Sequence, residues 1–278
     1  PARSSLIGCI IMKIGLIAGS GQFPLIFSKA AREKGYAIYA IAFMNETDPS
    51  IEDHVDAVEW MYLGQLKRLI RFFKKNDVTE AVMMGAIRKT RIFTDVKPDM
   101  KAISIITKMR HTHDDNLLTT FARVLEEEGI YIKASTFLVP DLLVPEGCWT
   151  RRKPSRSEEA DINLGWRLAK EIGRLDIGQC VVVGGGSALA VEAIDGTDAT
   201  IIRGGKLGNG NAIVVKVCKP NQDTRFDIPA VGLQTIETMH EFGAKALVVE
   251  AGKAIVFNRE EMIDLADRYG IAIVARRE

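Results

Sequence analysis

The first half of this chain alternates short apolar runs with amphipathic segments, and that rhythm restricts the fold more than any other feature. Ile14–Ala18 reads as a buried strand, followed by the turn Gly19-Ser20-Gly21 and a helically spaced segment from Phe23 to Lys34 that stops at Gly35. Ala37–Ala42 and Ala57–Met61 read as the next strands. Leu63 to Lys75 puts Leu66, Leu69, Ile70 and Phe73 on one helical face. Glu80–Met84 predicts a further strand ending at Gly85, with helices near Lys101–Met109 and Asp115–Glu128. Strands separated by helices pair in parallel, with the helices covering the sheet faces. The expected class is therefore α/β, with a parallel sheet and a Rossmann-like N-terminal domain.

Pro140 to Pro154 changes character. It holds Pro140, Pro145, Gly147 and Pro154 with the basic run Arg151-Arg152-Lys153, and reads as an interdomain linker. Ser155-x-x-Glu158 predicts a capping box for a helix running to about Arg174, with Ile162, Trp166, Ala169 and Ile172 on one face. Gln179–Val183 and Ala188–Ala193 flank Gly184-Gly185-Gly186-Ser187 as in a hairpin. Strands are expected at Ala212–Cys218, Ala246–Val249, Ala254–Phe257 and Ile271–Ala275, and helices at Thr235–Phe242 and Arg259–Tyr269. This predicts a second α/β (α+β) domain. The expected boundaries are residues 12–145 and 150–278. Met12 stands just before the first strand, so residues 1–11 are read as an N-terminal extension.

Composition narrows the partners. Hydrophobic residues make up 47% and charged residues 26%, as in globular proteins. A net charge of +1 gives no electrostatic case for nucleic acid. Cys9, Cys148, Cys180 and Cys218 show no C-x-x-C spacing, which argues against structural zinc and for buried free thiols in a reducing cytoplasm. The apolar stretch Leu6 to Gly19 is shorter than the roughly 20 residues of a membrane span. A cytoplasmic location is expected.

The glycine turn admits two readings. A strand, Gly19-Ser20-Gly21-Gln22, and then a helix could present backbone amides to a phosphate. A dinucleotide fingerprint would need a third glycine where Pro24 stands. It would also need an acid at the end of the second strand, where Phe43-Met44-Asn45 offers none and Glu46 comes late. The turn could equally need glycine only for its backbone freedom.

Carboxylates and cations cluster in four places. Lys219-Pro220-Asn221-Gln222-Asp223-Thr224-Arg225-Phe226-Asp227-Ile228-Pro229 is bounded by prolines and carries Asp223 and Asp227 four apart. Such a loop could aim both at a divalent cation while Lys219 and Arg225 take up phosphate charge. Glu192-Ala193-Ile194-Asp195-Gly196-Thr197-Asp198 is a second cluster, in which Thr197 or Asp198 could instead cap a helix. The third is His113-Asp114-Asp115 before a helix. The fourth is Arg88-Lys89, after a strand end where open α/β sheets bind ligands. There is no G-x-S-x-G, H-E-x-x-H or P-loop.

In order along the chain, Lys13-Ile14-Gly15-Leu16-Ile17-Ala18-Gly19-Ser20-Gly21-Gln22-Phe23-Pro24, Asp114-Asp115, Glu171 to Gln179, Ala190-Val191-Glu192-Ala193-x-x-Gly196-Thr197-Asp198-Ala199 and Lys219-Pro220-x-Gln222-x-x-Arg225-x-Asp227-x-Pro229-x-x-Gly232 resemble the LpxI family of UDP-2,3-diacylglucosamine pyrophosphatases. The resemblance implies hydrolysis of UDP-2,3-diacylglucosamine to 2,3-diacylglucosamine 1-phosphate (lipid X) and UMP, in lipid A biosynthesis. It implies a divalent metal, Mg2+ or Mn2+, and two domains, the first Rossmann-like. Asp227 matches the family's catalytic aspartate. Arg225 and Asp223 are expected beside it, with Asp227, Glu192 and Asp198 at the metal. Gly19, Ser20, Gly21, Gln22, Arg88, Asp114, Asp115, Gly196, Thr197, Asp198, Lys219 and Gln222 are expected at the substrate. An acylated substrate implies peripheral contact with the inner membrane, for which Arg151-Arg152-Lys153 could supply cations. A homodimer is a further partner this reading admits. The competing functions are a nucleotide-sugar oxidoreductase and a non-catalytic sensor of a nucleotide-linked lipid.

Overall fold

A computed structural model describes residues 12–87, 96–104, 117–226 and 228–277. The chain divides into two compact units. The first comprises Pro1–Val139 and Thr224–Phe226; the second comprises Pro140–Asp223 and Asp227–Glu278.

In the first unit β1 (Met12–Ala18), α1 (Phe23–Glu33), β2 (Tyr36–Phe43), β3 (Ala57–Met61), α2 (Leu66–Lys75), β4 (Glu80–Met84), α3 (Leu117–Glu127) and β5 (Tyr131–Lys133) follow in sequence. The sheet order is β3-β2-β1-β4-β5, and every pairing is parallel. β1 lies at the centre, which explains why Ile14 and Leu16 are fully buried and why it reads as an unbroken apolar run. α2 buries Leu66, Leu69, Ile70, Phe72 and Phe73 and carries Lys74 and Lys75 in its last turn, where the helix dipole favours cations. β5 and the 3-10 helix Pro49–His54 were not foreseen, because three to six residues are too few to show a period. The helix expected near Lys101–Met109 falls partly outside the described residues.

The second unit holds β6 (Gly147–Cys148), α4 (Arg156–Arg174), β7 (Cys180–Gly184), β8 (Ser187–Val191), α5 (Gly196–Gly208), β9 (Ala212–Lys216), β10 (Ala230–Val231), α6 (Leu233–Glu241), β11 (Ala244–Glu250), β12 (Ile255–Val256), α7 (Arg259–Tyr269) and β13 (Ala272–Arg276). Its main sheet runs β6-β13-β11-β9-β7-β8. β9, β11 and β13 are parallel, while β7, β8 and β6 pair antiparallel. One face packs on Ile162, Trp166 and Ala169 of α4. The other packs on Ile201, Ile236, Met239, Met262 and Leu265 from α5, α6 and α7. The capping box at the start of α4 is formed in both directions between Ser155 and Glu158. The β7–β8 hairpin turns at Gly185 and Gly186, both with positive φ, and the Asp161 carboxylate accepts both their N–H groups at 3.0 and 2.7 Å.

Three expectations change. Pro140–Pro154 is not a free linker: β6 pairs with β13, the Val144 N–H donates to Ala254 O at 2.9 Å, and the Trp149 N–H donates to Ile273 O at 2.9 Å. Its cations are engaged as well, Arg151 with Asp267 and Arg152 with Glu158. Residues 196–208 form a full helix where only a cap was considered. Four glycines lower its propensity, and one of them, Gly204, lies so close to β7 that an added Cβ would sit 2.4 Å from Val182. Finally, Cys180 and Cys218 are buried free thiols, but Cys148 is exposed.

Candidate functional site

In the first unit the strand order reverses between β1 and β4, the place where open α/β sheets hold ligands. Here the two loops clasp each other. The Ser20 N–H donates to Ala86 O at 2.8 Å, the Ala86 N–H returns to Ser20 O at 3.1 Å, and Ser20 Oγ donates to Ala86 O at 2.7 Å. Glycine is required on both sides: a Cβ at Gly19 would lie 2.6 Å from Ala86 O, and one at Gly85 (φ +84°) 2.5 Å from Ser20 O. Gly85→Ala is expected to lose about 2–4 kcal/mol, adding the left-handed penalty to the clash, as measured by urea unfolding of this unit. Gly21 (φ +91°) and Gln22 line a cavity of about 520 Å³ with Leu25, Glu46, Thr47, Asp48 and Pro49. Pro24 takes the first turn of α1, where a missing N–H costs nothing. Arg88, His113, Asp114 and Asp115 lie outside the described residues.

The loop after β9 is pinned at its start. The Cys218 N–H donates to Glu250 Oε2 and the Lys219 N–H to Gln222 Oε1, both at 2.9 Å. The Lys219 ammonium pairs with Asp176 at 2.5 Å. Gln222 and Asp223 are half-buried in the second unit. Thr224–Phe226 belongs to the first unit: Thr224 O accepts from the Ser135 N–H and Oγ, Arg225 pairs with Glu126 at 3.0 Å, and Phe226 packs on the core under α3. Arg225, expected at the pyrophosphate, thus already holds a carboxylate partner. Asp227 lies outside the described residues.

Glu192 directly follows β8 and is buried. Its Oε2 accepts the Gln179 N–H at 2.9 Å and its Oε1 accepts Thr197 Oγ1 at 2.8 Å. Each oxygen keeps lone-pair capacity beyond these bonds. Neither Thr197 nor Asp198 caps α5: the N-cap position is Asp195, which pairs with Arg203, and Gly196 is the first helical residue. Asp198 stands exposed in the first turn, where the dipole favours an acid. Among the described residues no three His, Cys, Asp or Glu side chains gather as a cation site.

The LpxI N-terminal domain description matches residues 13–142 and the LpxI C-terminal domain description matches residues 145–274. The chain belongs to the LpxI family. The chain is 29% identical over 273 residues to the UDP-2,3-diacylglucosamine pyrophosphatase LpxI of Caulobacter vibrioides, covering 94% of this chain and 96% of that one. It is also 25% identical over 153 residues to the bifunctional purine biosynthesis protein PurH of Bacillus anthracis, of which it spans 25%. Among solved structures, an ADP complex of N5-carboxyaminoimidazole ribonucleotide synthetase matches at TM-score 0.28 and 15% identity, covering 73% of this chain and 45% of that one.

From sequence, Glu46 is set aside as a late acid, and Glu250, Lys170 and Lys216 of this LpxI-family chain go unnoticed. Glu46 is buried and lines the cavity beside Gly21, although it follows β2 by three positions. The detectable signal was that it is the first acid after the second strand. Glu250 and Lys170 form a buried ion pair at 2.8 Å beneath the 219–226 loop, 80 residues apart. Lys216 is a buried cation at the end of β9. No local pattern marks these last three. Among the described residues, no helix is long and apolar enough to cross a membrane.

Proposed function

We propose that this chain hydrolyses UDP-2,3-diacylglucosamine to lipid X and UMP, in lipid A biosynthesis. The supporting observation is the run of both LpxI domains in order along the chain, with a Caulobacter pyrophosphatase similar over nearly its whole length. The reaction needs water delivered to a phosphorus already crowded with negative charge, so the protein must supply cations and oxygen ligands. Lys219 and Gln222 stand at the root of a loop whose geometry is fixed by Glu250. A dinucleotide reading has less support, since the Ser20–Ala86 clasp closes the turn a pyrophosphate would enter.

A divalent metal, Mg2+ or Mn2+, belongs to this proposal. Magnesium is commonly held by one or two carboxylates plus substrate phosphates, so a three-carboxylate cage is not required. Asp198 is exposed and Glu192 retains lone pairs, so both have the chemistry of hard oxygen ligands, and Asp227 is the third ligand this proposal assigns. The bound ion would neutralise phosphate charge and acidify a water. Contact with the cytoplasmic face of the inner membrane follows from the acylated substrate and is part of the same proposal.

Purified protein incubated with UDP-2,3-diacylglucosamine and magnesium is expected to release UMP, with release abolished by EDTA and restored by excess magnesium. No UMP from folded protein with metal present would overturn the activity. Equal UMP with EDTA would overturn only the metal.

A further inference from the structure

Lys216 ends β9 and faces the same side of the sheet as Val214, two residues before it. Its cross-strand partner is Cys180, which shares that face with Val214 in the core. Only 9% of Lys216 is exposed. The ammonium donates to Ala230 O at 2.9 Å, and among the described residues it makes no ion pair. An ammonium carries three N–H donors, so two have no acceptor among the described residues. Burying a cation that way is costly unless something anionic completes its shell.

The position is telling. Lys216 stands three residues before Lys219, and Ala230 three residues after Asp227. The Lys216–Ala230 bond therefore ties together the two roots of the 219–229 loop. Glu192 and Asp198 act by charge on Cys180, the cross-strand partner of Lys216. Burial above all, then the Glu192 charge and to a lesser degree Asp198, push the Cys180 thiol up to about 12, with Lys216 opposing. A buried cation with donors to spare, at the root of a loop, has the chemistry of a phosphate-oxygen contact.

We propose that Lys216 is a substrate-binding residue whose ammonium takes a phosphoryl oxygen of the substrate's pyrophosphate. The proposal rests on the hydrolase reading above. Weakened binding of UMP or of the sugar phosphate in the variants below tells which of the two products carries the oxygen that Lys216 holds.

The test compares wild type with Lys216→Met, which removes charge at similar volume, and Lys216→Arg, which keeps it. UMP and 2,3-diacylglucosamine 1-phosphate are titrated separately by calorimetry, and thermal unfolding is recorded for each protein. For the Met variant the expected result is at least a tenfold weaker affinity for one of the two products, turnover reduced about 10²-fold or more, and partial recovery by Arg. If folded Lys216→Met binds both products within threefold of wild type, the proposal is overturned. Should the Met variant not fold, reductive methylation of the wild type decides: Lys216 is expected to be protected by saturating product, and equal labelling with and without either product overturns the proposal. Failure of the wild type to hydrolyse UDP-2,3-diacylglucosamine would remove the activity alone, because the product-binding measurements report on Lys216 independently.

Discussion

Replacing Glu250 by alanine is expected to destabilise the second unit by about 3–5 kcal/mol and lower its Tm by roughly 10 °C. Glu250 is the last residue of β11 and only 1% exposed. Its carboxylate accepts Lys170 Nζ at 2.9 and 2.8 Å, the Cys218 N–H at 2.9 Å and Lys253 Nζ at 3.0 Å. Removing it takes the carboxylate partner from the Lys170 ammonium beside Trp166, which keeps its bond to Cys218 O at 3.3 Å, and leaves the Cys218 N–H without this acceptor at the root of the loop. The cost is that of breaking a buried ion pair by removing one partner, so Glu250→Leu combined with Lys170→Met should recover much of the loss. A Tm change below about 2 °C for the single variant would refute the account. The pH dependence carries a definite sign. Burial works to raise the Glu250 carboxyl, but hydrogen bonds from Lys170, Lys253 and the Cys218 amide outweigh it and hold it below its ordinary 4.5. A depressed carboxyl contributes stability that is fully present above the unfolded pKa and lost as pH falls through the folded one. Wild type should therefore lose stability below about pH 4.5 more steeply than the double variant.

What could be read from sequence follows from where the physics is local. β1, β2 and β4 announced themselves because interior strands of a covered sheet are nearly continuous apolar runs, and the box at Ser155 needs only four residues. α5 stayed hidden because its glycines serve close contacts, Gly204 with Val182 of β7 and Gly205 with Phe242, rather than helix propensity. β6 stayed hidden because a two-residue strand exists only through its partner, β13. The candidate site was legible as a list of residue types but not as an arrangement. Nothing local says that Thr224–Phe226 joins the first unit while Asp223 stays with the second, or that Arg225 meets Glu126, 99 positions earlier. The Lys170–Glu250 pair and the Lys216–Ala230 tie likewise depend on the sheet bringing distant strands together.

Asp227→Asn should reduce UMP release by about 10²–10⁴-fold while leaving the fold intact, the range a positioned acid or base contributes. The flanking chain supports intact folding: Phe226 packs in the core of the first unit, and Pro229 O accepts the Ile255 N–H at 2.8 Å. A change of one carboxylate oxygen to an amide nitrogen disturbs neither contact. Magnesium titration then separates the two roles proposed for this side chain. If Asp227 holds the metal, the Asn variant should need more magnesium and regain part of its rate at high concentration, because a lost ligand weakens binding. If it activates water directly, added metal should not help, and the rate should lose the acid-side limb of its pH profile, because that limb reports the missing carboxylate. Asp198→Asn is the companion measurement: as an exposed first-turn acid it should change the magnesium requirement with little change in Tm. Turnover of folded Asp227→Asn within threefold of wild type would remove Asp227 from the chemistry and leave the loop as a binding element only.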